Sequence, residues 1–575
     1  MQKIILVLVS GVLLFLAFPP FGYEFLAWVA LVPLIYVCLD SGPGESFRYG
    51  LAAGLVFWLS GIFWLSKVTY LGWCLGSLYC ALYMALFALI ASWWFRNLKT
   101  FNVQRSTSNM ERMDLFSKLK VRRWMLKVSD VYRVDLLFLF GLPAIWVGLE
   151  CARANFITGF PWNLLGVSQY KNVSLIQCAE WGGVYLVSYL IVLGNTAIAL
   201  LYGKFETGAE PSPGGRRPPR SFLYALGWAG RSAHGSCRRP NFLDLLRPVV
   251  AFFLVIAVAL AVGKCRQNAL PEITQSMNVA GIQLNVPQED KWSSAAVNDI
   301  YYRLKQATLR AGSAGRVDLV VWPETSLPDF VRYSGPSSAI VAESVRKGVP
   351  LLAGSMDYEE FSGRTNYFNS SLLYLPGVET PQVYAKRHLV PFGEYVPLGK
   401  YLPFLRSIAD AEDGEDFTPG TETVVFRLDE KGRKFGVLIC FEDILPYLAR
   451  DCVRAGARLL INQTNDAWFD PYWACHQQMA HCVFRCVENR VACLRVTNTG
   501  LTCLIDRSGR ICSELDRLGD AWRAPEILRA KADFSPENMP LTFYTRHGDL
   551  FAMACFAFTL PILAGALLSL IWKRK

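Results

Sequence analysis

Eight apolar runs, at residues 4–18, 23–39, 49–66, 71–94, 134–150, 183–202, 248–263 and 549–572, constrain this chain more than any other feature. A helix that crosses a membrane needs about 20 apolar residues, with a usual range of about 17–25. The first run is marginal and Pro19-Pro20 closes it; Lys3 followed by an apolar stretch resembles a secretory leader. No small-residue cleavage site follows it and another run begins at once, so an uncleaved span is expected. The chain therefore reads as a polytopic helical bundle of eight spans. Hydrophobic residues are 53% of the 575, too many for an ordinary soluble protein and too few for spans throughout. Two regimes reconcile this: a membrane domain at 1–264, a long polar region at 276–540, and a closing span at 549–572.

Charge sets the orientation. The segment 96–133 carries ten Lys and Arg against Glu111, Asp114 and Asp130, and the segment 203–247 carries eight more Lys and Arg. The loop 151–182 has only Arg153 and Lys171. Basic loops stay on the cytoplasmic side, so the polar region is expected on the opposite face, periplasmic in a bacterial inner membrane. The same partition accounts for most of the net charge of +11 and removes the case for nucleic acid. Pro/Gly/Ser/Arg-rich stretches such as 207–220 read as cytoplasmic connectors that can touch anionic head groups.

Within 276–540 the apolar pattern shortens to strand length. Strands are expected at 277–285, 318–324, 350–358, 364–375, 434–443, 457–466 and 492–506, and helices at 294–312, 337–348, 444–455 and 474–491. Alternation of this kind predicts a layered α/β domain with buried sheets. Eight of the 16 cysteines lie between 440 and 512, yet no spacing among them matches a zinc site. Outside the cytoplasm disulfides are open to them; buried free thiols are the favoured reading.

Three polar residues stand at the ends of apolar strands: Glu324 in WPET, Lys386 in AKRHLVPFGEYVP and Cys440 in GVLICFED. A carboxylate, an ammonium and a thiol are costly to bury there unless they pair with one another. Taken singly, each has an ordinary reading, as an ion pair or a small apolar filler. Together they suit acyl transfer, with Cys440 as nucleophile, Glu324 as base, and Lys386 with the Phe441 N–H holding the oxyanion.

WPET, KRHLVPFGEY and CFED, in this order, resemble the three catalytic blocks of the nitrilase (carbon–nitrogen hydrolase) superfamily. Within it the eight-span arrangement resembles the apolipoprotein N-acyltransferase family, as do GFPW (159–162), IQLNVPQEDKW (282–292), NDAWF (465–469) and HQQMA (476–480). The resemblance covers nearly the whole chain apart from the basic loops, which look expanded. It implies a four-layer αββα sandwich for 276–540 and carries the catalytic roles onto Glu324, Lys386 and Cys440. It suggests support from Glu394 and Glu442, which could instead simply bond loop amides. Trp292 and Trp468 are candidates for lining an acyl-chain entrance, or else are core or interfacial aromatics. Where relatives often have Tyr after the cysteine, Phe441 lacks the hydroxyl.

The activity implied is N-acylation in two steps. A phospholipid donates its acyl chain to Cys440, and the α-amine of a diacylglyceryl-cysteine apolipoprotein takes it as an amide. No metal or organic cofactor is implied, and a monomer is expected. One rival is a membrane-tethered amidase or nitrilase with water as second nucleophile, against which stands an eight-span anchor where one would suffice. The other is a transporter or scaffold, against which stands the scarcity of charge within the spans.

Overall fold

The computed structural model describes residues 1–113, 120–157, 159–207, 242–313, 315–361, 363–397, 399, 401, 406, 416–468, 473–515 and 524–572. Residues 208–220 of the connector and the side chains of most basic residues in 96–133 and 203–247 lie outside the described residues.

The N-terminal part is helical: α1 (Gln2–Ala17), α2 (Val32–Asp40), α3 (Pro43–Gly61), α4 (Tyr70–Met113), α5 (Lys120–Asn155), α6 (Ala179–Thr207) and α7 (Phe242–Asn268). Among the described residues five stretches are long and apolar enough to cross a membrane: Tyr70–Leu98, Asp135–Asn155, Ala179–Tyr202, Arg247–Asn268 and Leu550–Ile571. The first three apolar runs fold differently. The run 4–18 makes a 16-residue helix, 23–39 is interrupted before α2, and α3 carries Glu45 and Arg48 in its first turns. Side chains on Arg247–Asn268 and Leu550–Ile571 are mostly exposed, as apolar surface is when its solvent is lipid.

The polar region holds two six-stranded sheets. The strands are β1 (Gln275–Gln283), β2 (Leu319–Val321), β3 (Leu351–Phe361), β4 (Arg364–Tyr374), β5 (Gln382–Ala385), β6 (Val425–Arg427), β7 (Lys434–Ile439), β8 (Leu459–Thr464), β9 (Ala492–Thr497), β10 (Thr502–Ile505), β11 (Ile511–Leu515) and β12 (Glu526–Phe534). The first sheet runs β12-β1-β2-β3-β4-β5 and the second β11-β10-β9-β8-β7-β6. β1, β2 and β3 are mutually parallel, as are β7, β8 and β9. Parallel strands are covered on both faces, which is why their sequences are nearly continuous apolar runs. The stretch 492–506, expected as one strand, is instead the antiparallel pair β9 and β10. Asn498-Thr499-Gly500 turns the chain, with Gly500 at φ +102, a conformation glycine adopts without a Cβ penalty.

Successive residues point to opposite faces, and the apolar clusters follow that alternation. Val279, Leu319, Val321 and Leu352 of the first sheet share a cluster with Val437, Ile439, Leu459, Ile461 and Leu494 of the second. Ala280, Val320 and Leu351 pack the other way, onto α8 (Val297–Ser313) and α9 (Gly335–Arg346). Leu438, Leu460 and Cys493 belong to a third cluster with α10 (Pro446–Arg454) and α11 (Trp473–Asn489), and that cluster continues without a break into α1 to α6.

Every cysteine from 440 to 512 is a free thiol, and all but Cys512 are buried.

Candidate active site

Glu324, Lys386 and Cys440 each follow the carboxyl end of a strand. Lys386 is the first residue after β5, Cys440 the first after β7, and Glu324 stands three residues past β2. All three are buried. Lys386 Nζ lies 3.6 Å from Glu324 Oε1 and donates to Glu394 Oε1 at 2.9 Å. Asn369 of β4, which sequence reasoning missed, joins the two carboxylates: its Nδ2 donates to Glu324 Oε1 at 2.7 Å and to Glu394 Oε1 at 2.9 Å. Glu394 also accepts from the Val390 N–H at 2.8 Å, closing the loop that carries it. The only signal for Asn369 in the sequence is a polar residue within the strand RTNYFNSSLLYL.

Three non-glycine residues here occupy the left-handed region, Thr325 at φ +38, Phe392 at φ +63 and Cys440 at φ +50. Such strain persists only when the surroundings over-determine it. Around Cys440 they do. Asn462 Nδ2 donates to the carbonyls of Leu438 and Cys440 at 3.2 Å each, and Arg495 donates to Asn462 Oδ1 at 2.8 Å. Arg495 is itself fixed by Asp443 at 2.9 Å and Asp466 at 2.8 Å. The Glu324 turn is held from the opposite sheet, where Gln463 Nε2 donates to the Trp322 carbonyl at 2.6 Å. It also needs space: a Cβ on Gly354 of β3 would stand 2.1 Å from the Pro323 oxygen and 2.8 Å from Glu324 Cα.

Glu442 holds the backbone around Lys386. Its carboxylate accepts from the N–H groups of Arg387 at 2.7 Å, Ile439 at 2.8 Å and His388 at 3.1 Å, and from Tyr384 Oη. It therefore staples the end of β5 to the end of β7. Burial raises its pKa, against the three backbone N–H donors and the Lys386 charge.

Electrostatics set the ground state. Burial pushes the Cys440 thiol well above the usual thiol range, Glu324 adds to that, and Lys386 opposes it. Burial alone would lower the Lys386 pKa, but Glu394, Glu324 and Cys440 outweigh it and hold the ammonium charged. A protonated thiol beside a carboxylate and a permanent cation is arranged for proton transfer during attack on a carbonyl, with the cation ready for the charge that develops.

Phe441 connects this cluster to the helical part. Its ring stacks on Trp162 (6.2 Å, 15°), and Trp162 stacks on Phe160 (6.2 Å, 11°) in the GFPW loop. His388 also stacks on Phe441 (6.2 Å, 20°). Trp292 and Trp468 are 47% and 52% exposed, at the ends of short helical turns that follow β1 and β8.

Comparison with known proteins agrees in both halves of the chain. Residues 10–197 match the family described as apolipoprotein N-acyltransferase N-terminal domain, and residues 278–530 match carbon-nitrogen hydrolase. A protein of Geobacter metallireducens named apolipoprotein N-acyltransferase is 33% identical over 577 residues, covering 99% of this chain and 95% of the relative. A protein of the same name from Chlorobaculum tepidum is 27% identical, covering 99% and 96%. Another, from Methylococcus capsulatus, is 30% identical, covering 89% and 87%.

Proposed function

Since the chain belongs to the apolipoprotein N-acyltransferase family, we propose that it moves an acyl chain from a membrane phospholipid, through a thioester on Cys440, to the α-amine of a diacylglyceryl-cysteine apolipoprotein. The observation that carries this reading is the buried cluster of Glu324, Lys386, Glu394 and Asn369 beside a strained Cys440.

Glu324 takes the Cys440 proton as sulfur attacks the ester carbonyl. Lys386 and the Phe441 N–H receive the oxyanion. The tetrahedral intermediate collapses, the ester C–O bond breaks, and lysophospholipid leaves with the proton from Glu324. The amine then attacks the thioester and Glu324 removes its proton; the C–S bond breaks to give the amide, and Glu324 passes that proton to the leaving Cys440 sulfur, restoring the thiol. Glu394 orients Lys386, and Glu442 sets the backbone around it. Trp292 and Trp468 line the approach of the acyl chain, where indole suits an apolar tail beside a polar head.

Eight spans in a bacterial inner membrane, with a periplasmic 276–540 domain built as an αββα sandwich, complete the proposal. The basic loops support the orientation. The two outer apolar clusters, one on each side of the paired sheets, support the layering. The boundaries 1–264, 276–540 and 549–572 and a monomeric state belong to the same reading.

The test is incubation of purified protein with defined phospholipid vesicles and mass spectrometry of the Cys440 peptide. A hydroxylamine-labile acyl adduct is expected on the parent and none on Cys440→Ala. Acylation of a diacylglyceryl peptide by Cys440→Ala would overturn the assignment.

A further inference from the structure

Lys291 is a buried cation at the site that the steps above leave unused. Lys291 closes the short turn Gln288–Lys291, is 3% exposed, and forms no ion pair among the described residues. Its Nζ instead donates to Thr325 Oγ1 at 2.7 Å and to the Glu324 carbonyl at 3.4 Å. An ammonium taken out of water without a paired carboxylate is expensive, so the surroundings must recover something from its presence. What it touches is the strained segment: Thr325, at φ +38, is a β-branched residue in a conformation it rarely adopts. The Glu324 carboxylate leaves the chain one residue earlier and points at Asn369 and Lys386.

We infer that Lys291 is a positioning residue for acyl transfer, its ammonium pinning the Glu324–Thr325 turn so that the Glu324 carboxylate keeps its bearing on Lys386 and Cys440. This rests on the acyl-transfer reading above and adds a residue to it. Trp292 follows Lys291 directly and is half exposed, so the same turn joins the proposed acyl entrance to the base.

The pin has its own titration. Burial lowers the Lys291 pKa to about 8, while Glu324, from the turn after β2, and Cys440, from the end of β7, act to raise it. Glu289 and Asp290 share its turn. At neutral pH the group is an ammonium; as pH rises through about 8 it loses its charge, and its hydrogen bonds lose their charge assistance. Lys386, held charged by its carboxylates, does not titrate in that window.

The experiment is single-turnover formation of the Cys440 thioester by the full-length protein, measured from pH 6 to 10 with vesicles of phosphatidylethanolamine and phosphatidylglycerol. The parent rate is expected to fall along an alkaline limb near pH 8. Lys291→Arg, which stays charged, should retain activity and carry that limb to higher pH. Lys291→Met should lose about 10²-fold in the saturated rate, as a displaced base does, with little change in the lipid concentration at half-saturation. A parental rate and profile in Lys291→Met, or a limb left in place by Lys291→Arg, would overturn the role. Should Lys291→Met fail to fold, the Lys291→Arg profile decides alone. A parent that forms no thioester at any pH would sink the acyl-transfer reading itself, whereas a parent that forms it with unmoved variant profiles sinks only Lys291.

Discussion

The two sheets repeat one plan, three parallel strands at the centre with antiparallel strands outside, and differ in what covers them. The first sheet's outer face packs on α8 and α9, whose apolar cluster is self-contained. The second sheet's outer face packs on α10 and α11, whose cluster runs on into the membrane helices. The helices differ to match. α8 buries one stripe of five residues, whereas α11 buries fifteen of seventeen. One side chain of α11 makes the junction plain. Gln477 Oε1 accepts from the indoles of Trp162 at 2.7 Å and Trp64 at 3.3 Å, and its Nε2 donates to the carbonyls of Pro19 and Gly61 at 3.0 Å each. That uses all its hydrogen-bonding capacity on the helical part. Nearby, Glu180 of α6 holds Arg490 at 2.8 Å and Arg266 at 2.7 Å. The candidate site divides along the same line, because Cys440 sits on the sheet fused to the membrane part while Glu324 and Lys386 come from the sheet facing away. The residue proposed to carry the acyl chain is thus fixed relative to the helices, and the proposed base and cation are brought to it across the inter-sheet core.

That division can be broken from either side. The largest effect is expected on the outer sheet's chemistry: Glu324→Gln and Lys386→Ala should each lower thioester formation by at least about 10³-fold while thermal unfolding in detergent stays near parental. A change in unfolding as large as the change in rate would mean that these residues hold the fold instead. Glu394→Gln should cost about 10²-fold, because Lys386 loses its closest partner while Glu324 remains. On the membrane-fused side the order of effects should invert. Gln477→Leu strands two indole donors and two carbonyls, so it should destabilise by about 2–4 kcal/mol, read as a drop in unfolding temperature. Thioester formation per folded molecule should fall less than in Glu394→Gln. The smallest effect is expected at the rim, where Trp292→Ala and Trp468→Ala should raise the phospholipid concentration needed for half-maximal rate several-fold with the saturated rate nearly kept.

The sequence exposes what is local and hides what is assembled. Glu324, Lys386 and Cys440 were legible because a polar residue ending an apolar strand is a local anomaly with few explanations. The strands and helices around them were legible for the same reason, through period and apolar run length. Asn369 was not, since its function comes from a register that brings β4 beside β5 and under the β2 turn. Gln477 lies within a motif already noted, HQQMA, but nothing in the motif says that its partners are 315 and 413 residues away. The hairpin inside 492–506 was hidden by apolar residues on both sides of Asn498-Thr499-Gly500, which outweighed the turn chemistry. Lys291 stands in IQLNVPQEDKW as one charged residue among others; only the packing of its turn against Thr325 buries it.

The most direct test of the account follows one labelled acyl chain. Protein carrying a radiolabelled palmitoyl thioester on Cys440, freed of lipid and mixed with a diacylglyceryl-cysteine peptide, should transfer the label to the peptide as a hydroxylamine-stable amide. The Cys440 thiol should reappear at the same rate. Release of the label as free fatty acid, with the peptide unlabelled, would contradict the account and make water the second nucleophile.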